Sequence, residues 1–386
     1  MRIPNWIKRI KTPIINKNRK IPIYAPLITE AEKSYVTACM EDTWLSSKGK
    51  FVQQFERAFA SYCDVPYAVS CSSGTTALFL ALKLMGVKKG DEVIVPTFTM
   101  ISTAFAVTYT GASPVFADCL PDSGNINPND IERLITKKTK VVIPVHIYGN
   151  PCDMESIMQV ANKHKIQILE DAAEALGATY RRKHIGGIND FSAFSLYVNK
   201  IVTTGEGGMI TLKSPLLYRK LKRMNNYAFS SKRHFWHEHI GYNFRLSNIQ
   251  AAIGLGQIEH IKDTLKKKQT VAFWYEKCLK PVRDRIISYT INPNGTGNFW
   301  HMAYRIPERG VDIIRLRNFL GQNGVETRSA FLPLHLQPVY RKKAYEGHFP
   351  HAEQLSQTSI LLPSGPTLTK LNVERICRLI IAFFKQ

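Results

Sequence analysis

From about Ile23 the apolar residues fall into a repeating texture. Short, continuous, β-branched runs alternate with longer stretches in which apolar residues recur every three to four positions. The segment from Thr29 to Trp44 opens with a helix-capping signal, Thr29-Glu30-Ala31-Glu32, and continues as a polar-apolar helix. Lys50 to Tyr62 places Phe51, Phe55 and Phe59 four apart on one helical face. Strands are expected at 67–69, 92–95, 114–117, 141–145 and 167–169, with helices over 74–86, 99–110, 127–136 and 153–164 between them. Continuous apolar strands separated by helices predict a mostly parallel sheet covered on both faces, an α/β layer architecture. Two further strands, 192–195 and 209–212, are joined by a Gly-rich turn. After about 245 the texture changes. Ser247 to Leu279 reads as one long helical stretch, apolar early and Lys-rich later. An extended section containing Tyr304-Arg305-Ile306 and helices near 311–323 and 371–384 follow. The expected organisation is an extension over 1–20, a large domain over 21–265 and a smaller C-terminal α+β domain over 266–386.

Composition changes this picture little. A chain of 386 residues, 44% hydrophobic and 21% charged, buries a substantial core without disulfides or metals and is not disordered as a whole. Charge changes it more. The formal net charge of +22 suggests a nucleic-acid binder, a protein of anionic membrane surfaces or an enzyme with a phosphorylated ligand. The charge is local, however. Residues 1–20 hold seven basic side chains and no acid, and residues 213–285 hold sixteen against five, so the two stretches carry 18 of the 22. The first stretch reads either as a solvated arm or as an amphipathic surface helix around Trp6-Ile7 and Ile10. The seven cysteines, Cys39, Cys63, Cys71, Cys119, Cys152, Cys278 and Cys377, are scattered and form no C-x-x-C pair, so reduced thiols are expected. No apolar run approaches the length of a membrane span, and Pro4 and Pro13 interrupt the basic N-terminus. The expectation is a cytoplasmic protein with no stable membrane insertion.

Candidate chemistry gathers where the strands of a parallel sheet would end, the edge at which such sheets bind ligands. After the first strand, Cys71-Ser72-Ser73-Gly74-Thr75-Thr76-Ala77 opens a helix. Hydroxyls and free backbone N–H groups there make either a phosphate cup or an ordinary helix cap. After the strand at 167–169 comes Glu170-Asp171-Ala172-Ala173-Glu174. Buried acids need partners. They read as a cap or salt bridge, or as a carboxylate holding a protonated heterocyclic nitrogen. Phe194-Ser195-Leu196-Tyr197-Val198-Asn199-Lys200 then leads to Thr203-Thr204-Gly205-Glu206-Gly207-Gly208. Lys200 either snorkels from a strand end or, desolvated, has the lowered pKa of an amine that forms a Schiff base. A phosphate cup, an acid for a ring nitrogen and a reactive lysine are together what a pyridoxal 5'-phosphate (PLP) enzyme needs.

These segments resemble the DegT/DnrJ/EryC1/StrS sugar aminotransferase family. So do Trp44-Leu45-Ser46-Ser47, Gly90-Asp91-Glu92-Val93-Ile94-Val95-Pro96-Thr97-Phe98-Thr99, Val145-His146-Ile147-Tyr148-Gly149 and Gly241-Tyr242-Asn243-Phe244-Arg245-Leu246-Ser247-Asn248. The matches run from about Ile21 to the C-terminus. The resemblance implies a PLP-dependent transferase of fold type I (aspartate aminotransferase-like), with a mostly parallel seven-stranded sheet in the large domain. It also implies a homodimer with shared active sites. In that reading Lys200 binds the cofactor covalently and moves protons, and Asp171 pairs with the ring nitrogen. Ser73, Gly74, Thr75 and Ser195 cradle the phosphate, Glu174 lies near the ring hydroxyl, and Asn243 reaches the partner's cofactor phosphate. Relatives usually carry a ring-stacking aromatic residue where this chain has Met100, whose thioether also packs on a π-face. Sugar dehydratases of the family have histidine in place of the lysine, so Lys200 implies transamination, with pyridoxamine 5'-phosphate as the cofactor form between half-reactions. Phe235-Trp236-His237 and Asn199 resemble the branch that aminates C4 of GDP-4-keto-6-deoxy-D-mannose with L-glutamate in perosamine and O-antigen-type polysaccharide biosynthesis. A UDP- or dTDP-linked 4-keto-6-deoxy or 3-keto sugar is the alternative within the family. A basic nucleic-acid-binding protein is the alternative outside it, and it leaves the PLP pattern unexplained. Trp44, Ser46, Asn199, Arg328 and His335 are the expected substrate contacts. His234, His237 and His239 lie close in sequence, but the resemblance gives no metal and none is expected.

Overall fold

The structure is a computed structural model, and it describes residues 20–230, 232–233, 235–307, 313–342 and 347–385. Residues 1–19, nearly all of the expected extension, and His234 of the histidine triple therefore lie outside the described residues.

The first half of the chain builds one sheet. Its strands are β1 (Tyr67–Cys71), β2 (Glu92–Pro96), β3 (Ser113–Ala117), β4 (Thr139–Val142), β5 (Gln167–Ile168) and β6 (Glu170–Asp171). A small hairpin of β7 (Thr179–Tyr180) and β8 (Lys183–His184) follows, then β9 (Phe191–Ser195) and β10 (Gly208–Leu212). Strands β3, β2, β4 and β5 are parallel neighbours in that order. β5 and β6 are two pieces of one strand, and Leu169 between them donates its N–H to the Val142 carbonyl at 3.1 Å. β6 runs parallel to β9, β9 pairs antiparallel with β10, and β10 pairs antiparallel with β1. The result is the expected seven-stranded layer, in the order β3-β2-β4-β5/β6-β9-β10-β1, with β10 alone reversed. Alternate residues feed two cores. Val93, Val95, Ala193 and Ile210 face one, and Ile94, Phe194 and Met209 face the other. Both faces are thus apolar, which is why the strands read as continuous rather than alternating runs.

The helices follow from local sequence. Thr29 caps α1 (Glu30–Glu41) in a reciprocal arrangement with Glu32, which also accepts the Thr29 N–H at 2.8 Å. α1 stops short of Trp44, because the chain turns at Asp42 and Thr43 takes a positive φ of 57°. α2 (Lys50–Tyr62) has the expected limits and buries Phe51, Phe55 and Phe59. α3 (Gly74–Leu84), α4 (Ser102–Tyr109), α5 (Pro128–Leu134), α6 (Met154–His164) and α7 (Pro215–Met224) are shorter amphipathic or buried segments.

The expected single helix over 247–279 is two. α8 (Asn248–Glu259) ends at His260, whose φ/ψ of −104°/13° breaks the helix, and α9 (Ile261–Leu279) begins beyond it. The break separates two environments. α8 is buried nearly all round, with Gly254 against Phe55 and Gly256 against Glu32, where a β-carbon would lie 2.5 and 2.8 Å from the neighbouring atoms. α9 buries one stripe, which includes Lys268, and exposes its other lysines.

The C-terminal part adds a second, antiparallel sheet, β11 (Ile287–Ser288), β13 (Met302–Arg305), β15 (Ser359–Leu362) and β14 (Arg328–Ser329), with β12 (Gly295–Thr296) joining the β7–β8 hairpin instead. It packs with the later half of α9, α10 (Ile313–Gln322) and α12 (Lys370–Phe384) around a third core of Val271, Tyr275, Leu316, Leu362 and Ile376. α11 (Pro350–Thr358) contributes Ala352 and Leu355 to the first core instead. Ile21 joins the third core too, its N–H donating to the Gly324 carbonyl at 2.8 Å.

Candidate active site

The carboxyl ends of β1, β6 and β9 and the start of β10 lie along one edge of the large sheet. Cys71 is opposite Gly208, Gly208 is opposite Ser195, and Asp171 is opposite Ala193. Beyond this edge Ser73 caps α3. Its Oγ accepts the Thr76 N–H at 3.1 Å, and Thr76 returns the bond to the Ser73 N–H at 3.0 Å. Gly74 and Thr75 form the first turn, with backbone N–H groups that no helical carbonyl satisfies. The turn is pressed onto β9. A β-carbon on Gly74 would lie 2.9 Å from Ser195 Cβ, and one on Gly208 would lie 2.2 Å from the Ser73 carbonyl oxygen. Ser73, Gly74, Thr75 and Ser195 therefore lie together as N–H and hydroxyl groups at the positive end of a helix, of a kind suited to a phosphate.

Asp171, Glu174 and Lys200 come together beside that patch. Asp171 is buried. Its Oδ2 accepts the Thr103 hydroxyl at 2.8 Å and its Oδ1 the Ala173 N–H at 3.1 Å. Burial pushes the Asp171 carboxyl up, against the opposing pull of Thr103, the Ala173 N–H and Lys200. Each of its oxygens keeps room for a further donor. Glu174 is also buried. Burial lifts its carboxyl to about 7, while Lys200 and the Tyr148 N–H, 2.7 Å from Oε2, pull the other way. Tyr148 makes that bond from a left-handed backbone, with φ 54° and ψ 21°, a conformation that a non-glycine residue holds only when its surroundings fix it. Lys200 is half-buried. Desolvation lowers its pKa, and Glu174 and Asp171 oppose that shift. The site is thus a low-dielectric cluster of one amine and two carboxyls.

Three residues that the pattern of the sequence did not single out complete this cluster. The Trp300 indole lies under Lys200, with Nζ 3.6 Å from the ring centroid, and its Nε1–H donates to the Asn199 carbonyl at 2.7 Å. Tyr24 donates its hydroxyl to the Lys200 carbonyl at 2.9 Å. Thr103 holds Asp171. Trp300 and Tyr24 are 100 and 176 residues from Lys200, and no spacing signal crosses such distances. Tyr148 lies inside a segment that carries the family resemblance, but nothing in that segment marks its role.

The remaining expected residues are placed differently. Asn199 is buried and its Oδ1 has no hydrogen-bond partner. Met100 is half exposed on the turn leading into α4. Asn243 is exposed, but the next residue, Phe244, accepts the Ser72 N–H at 2.7 Å, which sets this segment against the start of α3. Trp44 and Ser46 lie on the exposed loop before α2. Asn248 holds that loop by donating to the Trp44 carbonyl at 2.6 Å. Ser46 faces a separate cavity of about 440 Å³ lined also by Lys48, Lys222, Arg223, Asn225 and Arg245. Arg328 is exposed on β14. His335 lies away from solvent. It is buried, with Nδ1 2.7 Å from the Thr97 hydroxyl, Nε2 3.1 Å from Glu353 and its ring against Phe349. Both ring nitrogens are thus paired inside the protein. Among the described residues no group of three His, Cys, Asp or Glu side chains is placed to hold a metal.

A fold-type-I sheet whose carboxyl edge combines a capped helix N-terminus, a buried acid with spare acceptor capacity and a desolvated lysine is the arrangement of a PLP-dependent transferase. The residues fit that cofactor. Glycine at 74 puts no side chain over the backbone donors, and Asp171, with one accepted bond on each oxygen, has acceptor capacity to spare for a ring N–H. The chain belongs to the DegT/DnrJ/EryC1/StrS aminotransferase family, whose model matches residues 26–381. It is 41% identical to a GDP-perosamine synthase of Caulobacter vibrioides over 92% of this chain and 96% of that protein. It is also 41% identical to a GDP-perosamine synthase of Escherichia coli O157:H7, over 94% and 98%. DesV of S. venezuelae, solved in complex with a ketimine intermediate, superposes with a TM-score of 0.86 at 31% identity, covering 92% of this chain and 94% of that one. The protein is a PLP-dependent aminotransferase, as its sequence implied. Among the described residues no helix is long and apolar enough to cross a membrane.

Proposed function

We propose that the chain moves the amino group of L-glutamate to the C4 ketone of GDP-4-keto-6-deoxy-D-mannose, releasing 2-oxoglutarate and a GDP-linked 4-amino-4,6-dideoxy sugar. The observation that carries this reading is the buried Asp171–Glu174–Lys200 cluster beside the α3 cup, in a chain whose relatives include GDP-perosamine synthases. When bound, PLP supplies an electron sink that acidifies the Cα–H of an amino donor and carries nitrogen between substrates.

The protein's own groups do the rest. Lys200 Nζ would hold the cofactor and, with its pKa lowered by desolvation, would serve to take up and return a proton. Asp171 would hold the proton on the ring nitrogen. Ser73, Gly74, Thr75 and Ser195 would hold the phosphate. Glu174, held by Tyr148, would meet the ring hydroxyl. Met100 would contact the ring where relatives carry an aromatic side chain.

We further propose that a second copy of the chain completes each site, with Asn243 reaching the partner's cofactor phosphate and Arg245 and its basic neighbours drawing in the nucleotide diphosphate. Trp44, Ser46, Asn199, Arg328 and His335 are the proposed sugar-nucleotide contacts. In this reading a large domain over 21–265 carries the cofactor, a small domain over 266–386 closes on it, and the protein works in the cytoplasm on precursors of a surface polysaccharide. Support for the division comes from the third core, which draws on the later half of α9.

The substrate is tested by incubating the protein with glutamate and GDP-, UDP- and dTDP-linked 4-keto-6-deoxy sugars while following 2-oxoglutarate. Turnover with the GDP sugar is expected. Turnover with a UDP or dTDP sugar alone would overturn the assignment in favour of the alternative donor.

A further inference from the structure

α9 carries three consecutive lysines. Lys266 and Lys267 point into solvent, whereas Lys268 is completely buried. Burying an amine is costly, and the usual remedy is a carboxylate partner. Lys268 pairs with none among the described residues. Its Nζ donates instead to two backbone carbonyls, those of Trp300 at 3.0 Å and of Ser364. Burial holds its pKa well below the ordinary lysine value, which suits an amine that donates N–H bonds to neutral acceptors.

Both carbonyls lead to Lys200. Trp300 is held at every polar atom. Its N–H donates to Asn298 Oδ1 at 2.9 Å, its carbonyl accepts from Lys268 and from the Ser364 hydroxyl at 2.9 Å, and its indole N–H donates to the Asn199 carbonyl. The ring so fixed lies under the Lys200 amine. On the other side, the Ser364 N–H donates to the Ile23 carbonyl at 2.9 Å. The next residue, Tyr24, has its ring 5.2 Å from Lys268 Nζ and bonds the Lys200 carbonyl through its hydroxyl. A solvated basic helix thus sends one side chain inward to where both supports of Lys200, indole and phenol, are anchored.

We propose that Lys268 is a positioning residue for Lys200, clamping the Trp300 and Ser364 carbonyls so that the Trp300 indole stays beneath the Lys200 side chain. The inference rests on Lys200 being the reactive amine, and it is tested without turnover. In the full-length protein freed of cofactor, the rate at which an amine-specific acylating reagent labels Lys200 is measured against pH by peptide mass spectrometry. The charged and titratable groups facing Lys200 in this profile are Asp171, Glu174, His301 and Tyr24, and His301 in turn faces Lys268 and Arg328.

Lys268→Met and Trp300→Leu are each expected to change the Lys200 labelling rate about fivefold or more, the scale of a desolvated cation–π contact. The double variant should match the single ones, because Lys268 acts through Trp300. Lys268→Gln, which keeps two N–H donors, should restore part of the original profile. Ser364→Ala removes only the hydroxyl and should shift the profile in the same direction by less, which keeps the test open should Lys268→Met not fold. An unchanged Lys200 profile in Lys268→Met, or independent multiplying effects of the two substitutions, would overturn the proposal. Either result leaves covalent attachment of the cofactor to Lys200 standing, since that is read separately by borohydride fixation.

Discussion

At the scale of single residues, two buried carboxyls and one half-buried amine share a site, and their environments separate their tasks. Asp171 accepts two hydrogen bonds that favour its ionised form. Glu174 has a single N–H bond from Tyr148 and sits near 7. Asp171→Asn should keep the fold and lower kcat by about 10²-fold or more, because a ring proton then lacks its counter-charge. Steady-state kinetics with saturating glutamate check this.

Glu174 gives a pH prediction with a definite sign. A carboxyl whose pKa is raised on folding binds its proton more tightly in the folded chain. Its contribution to stability is complete below about 4.5 and is lost as the pH rises through about 7. The melting temperature of the cofactor-free protein should therefore fall between about pH 5 and about pH 7.5, and Glu174→Gln should flatten that fall. An identical slope in the variant would show that another group is responsible.

At the scale of elements, the cup depends on how closely α3 approaches the sheet. Gly74→Ala pushes a methyl group against Ser195 Cβ, and the helix must shift by a few tenths of an ångström. The expected cost is about 1–3 kcal/mol of stability together with weaker PLP binding, measurable by denaturant titration and cofactor uptake. Gly208→Ala should be worse, since its methyl group meets the Ser73 backbone.

Much of this level was legible in the sequence. α2 has its expected limits because three phenylalanines mark one face. The sheet strands were visible because burial on both faces makes them continuously apolar. The break at His260 was hidden, since a helix buried all round and a helix buried on one side both read as helical. α7 and α11 went unrecognised because they bury only a few residues each against the body of the molecule. In the site, Lys200, Asp171 and the cup follow strand ends and are local in sequence. Thr103, Tyr148, Trp300 and Tyr24 are joined to them only by tertiary contacts. The pairing of His335 with Thr97 and Glu353 was not legible, because a histidine looks the same in sequence whether its ring is free or paired.

At the scale of the whole molecule, the net charge of +22 first suggests a polyanion binder, yet the buried cluster lies outside both basic stretches. One of those stretches, residues 1–20, ends where Ile21 enters the third core and Ile23 the first. Removing residues 1–19 should leave cofactor binding intact. Removing residues 1–24 takes away two buried isoleucines, worth about 1.5–3 kcal/mol each, and the Tyr24 bond to Lys200. The longer deletion should lower the melting temperature and weaken PLP retention. Equal behaviour of the two truncations would contradict the anchoring role given to residues 21–24.

The central claim is that Lys200 is the amine on which this aminotransferase carries its cofactor. Its most direct test is to treat the purified, PLP-loaded protein with sodium borohydride, digest it and map the pyridoxyl group by mass spectrometry. The account predicts one modified peptide, carrying the added mass on Lys200, and none from Lys200→Ala. Modification of a different lysine, or a protein that takes up no PLP, would contradict it.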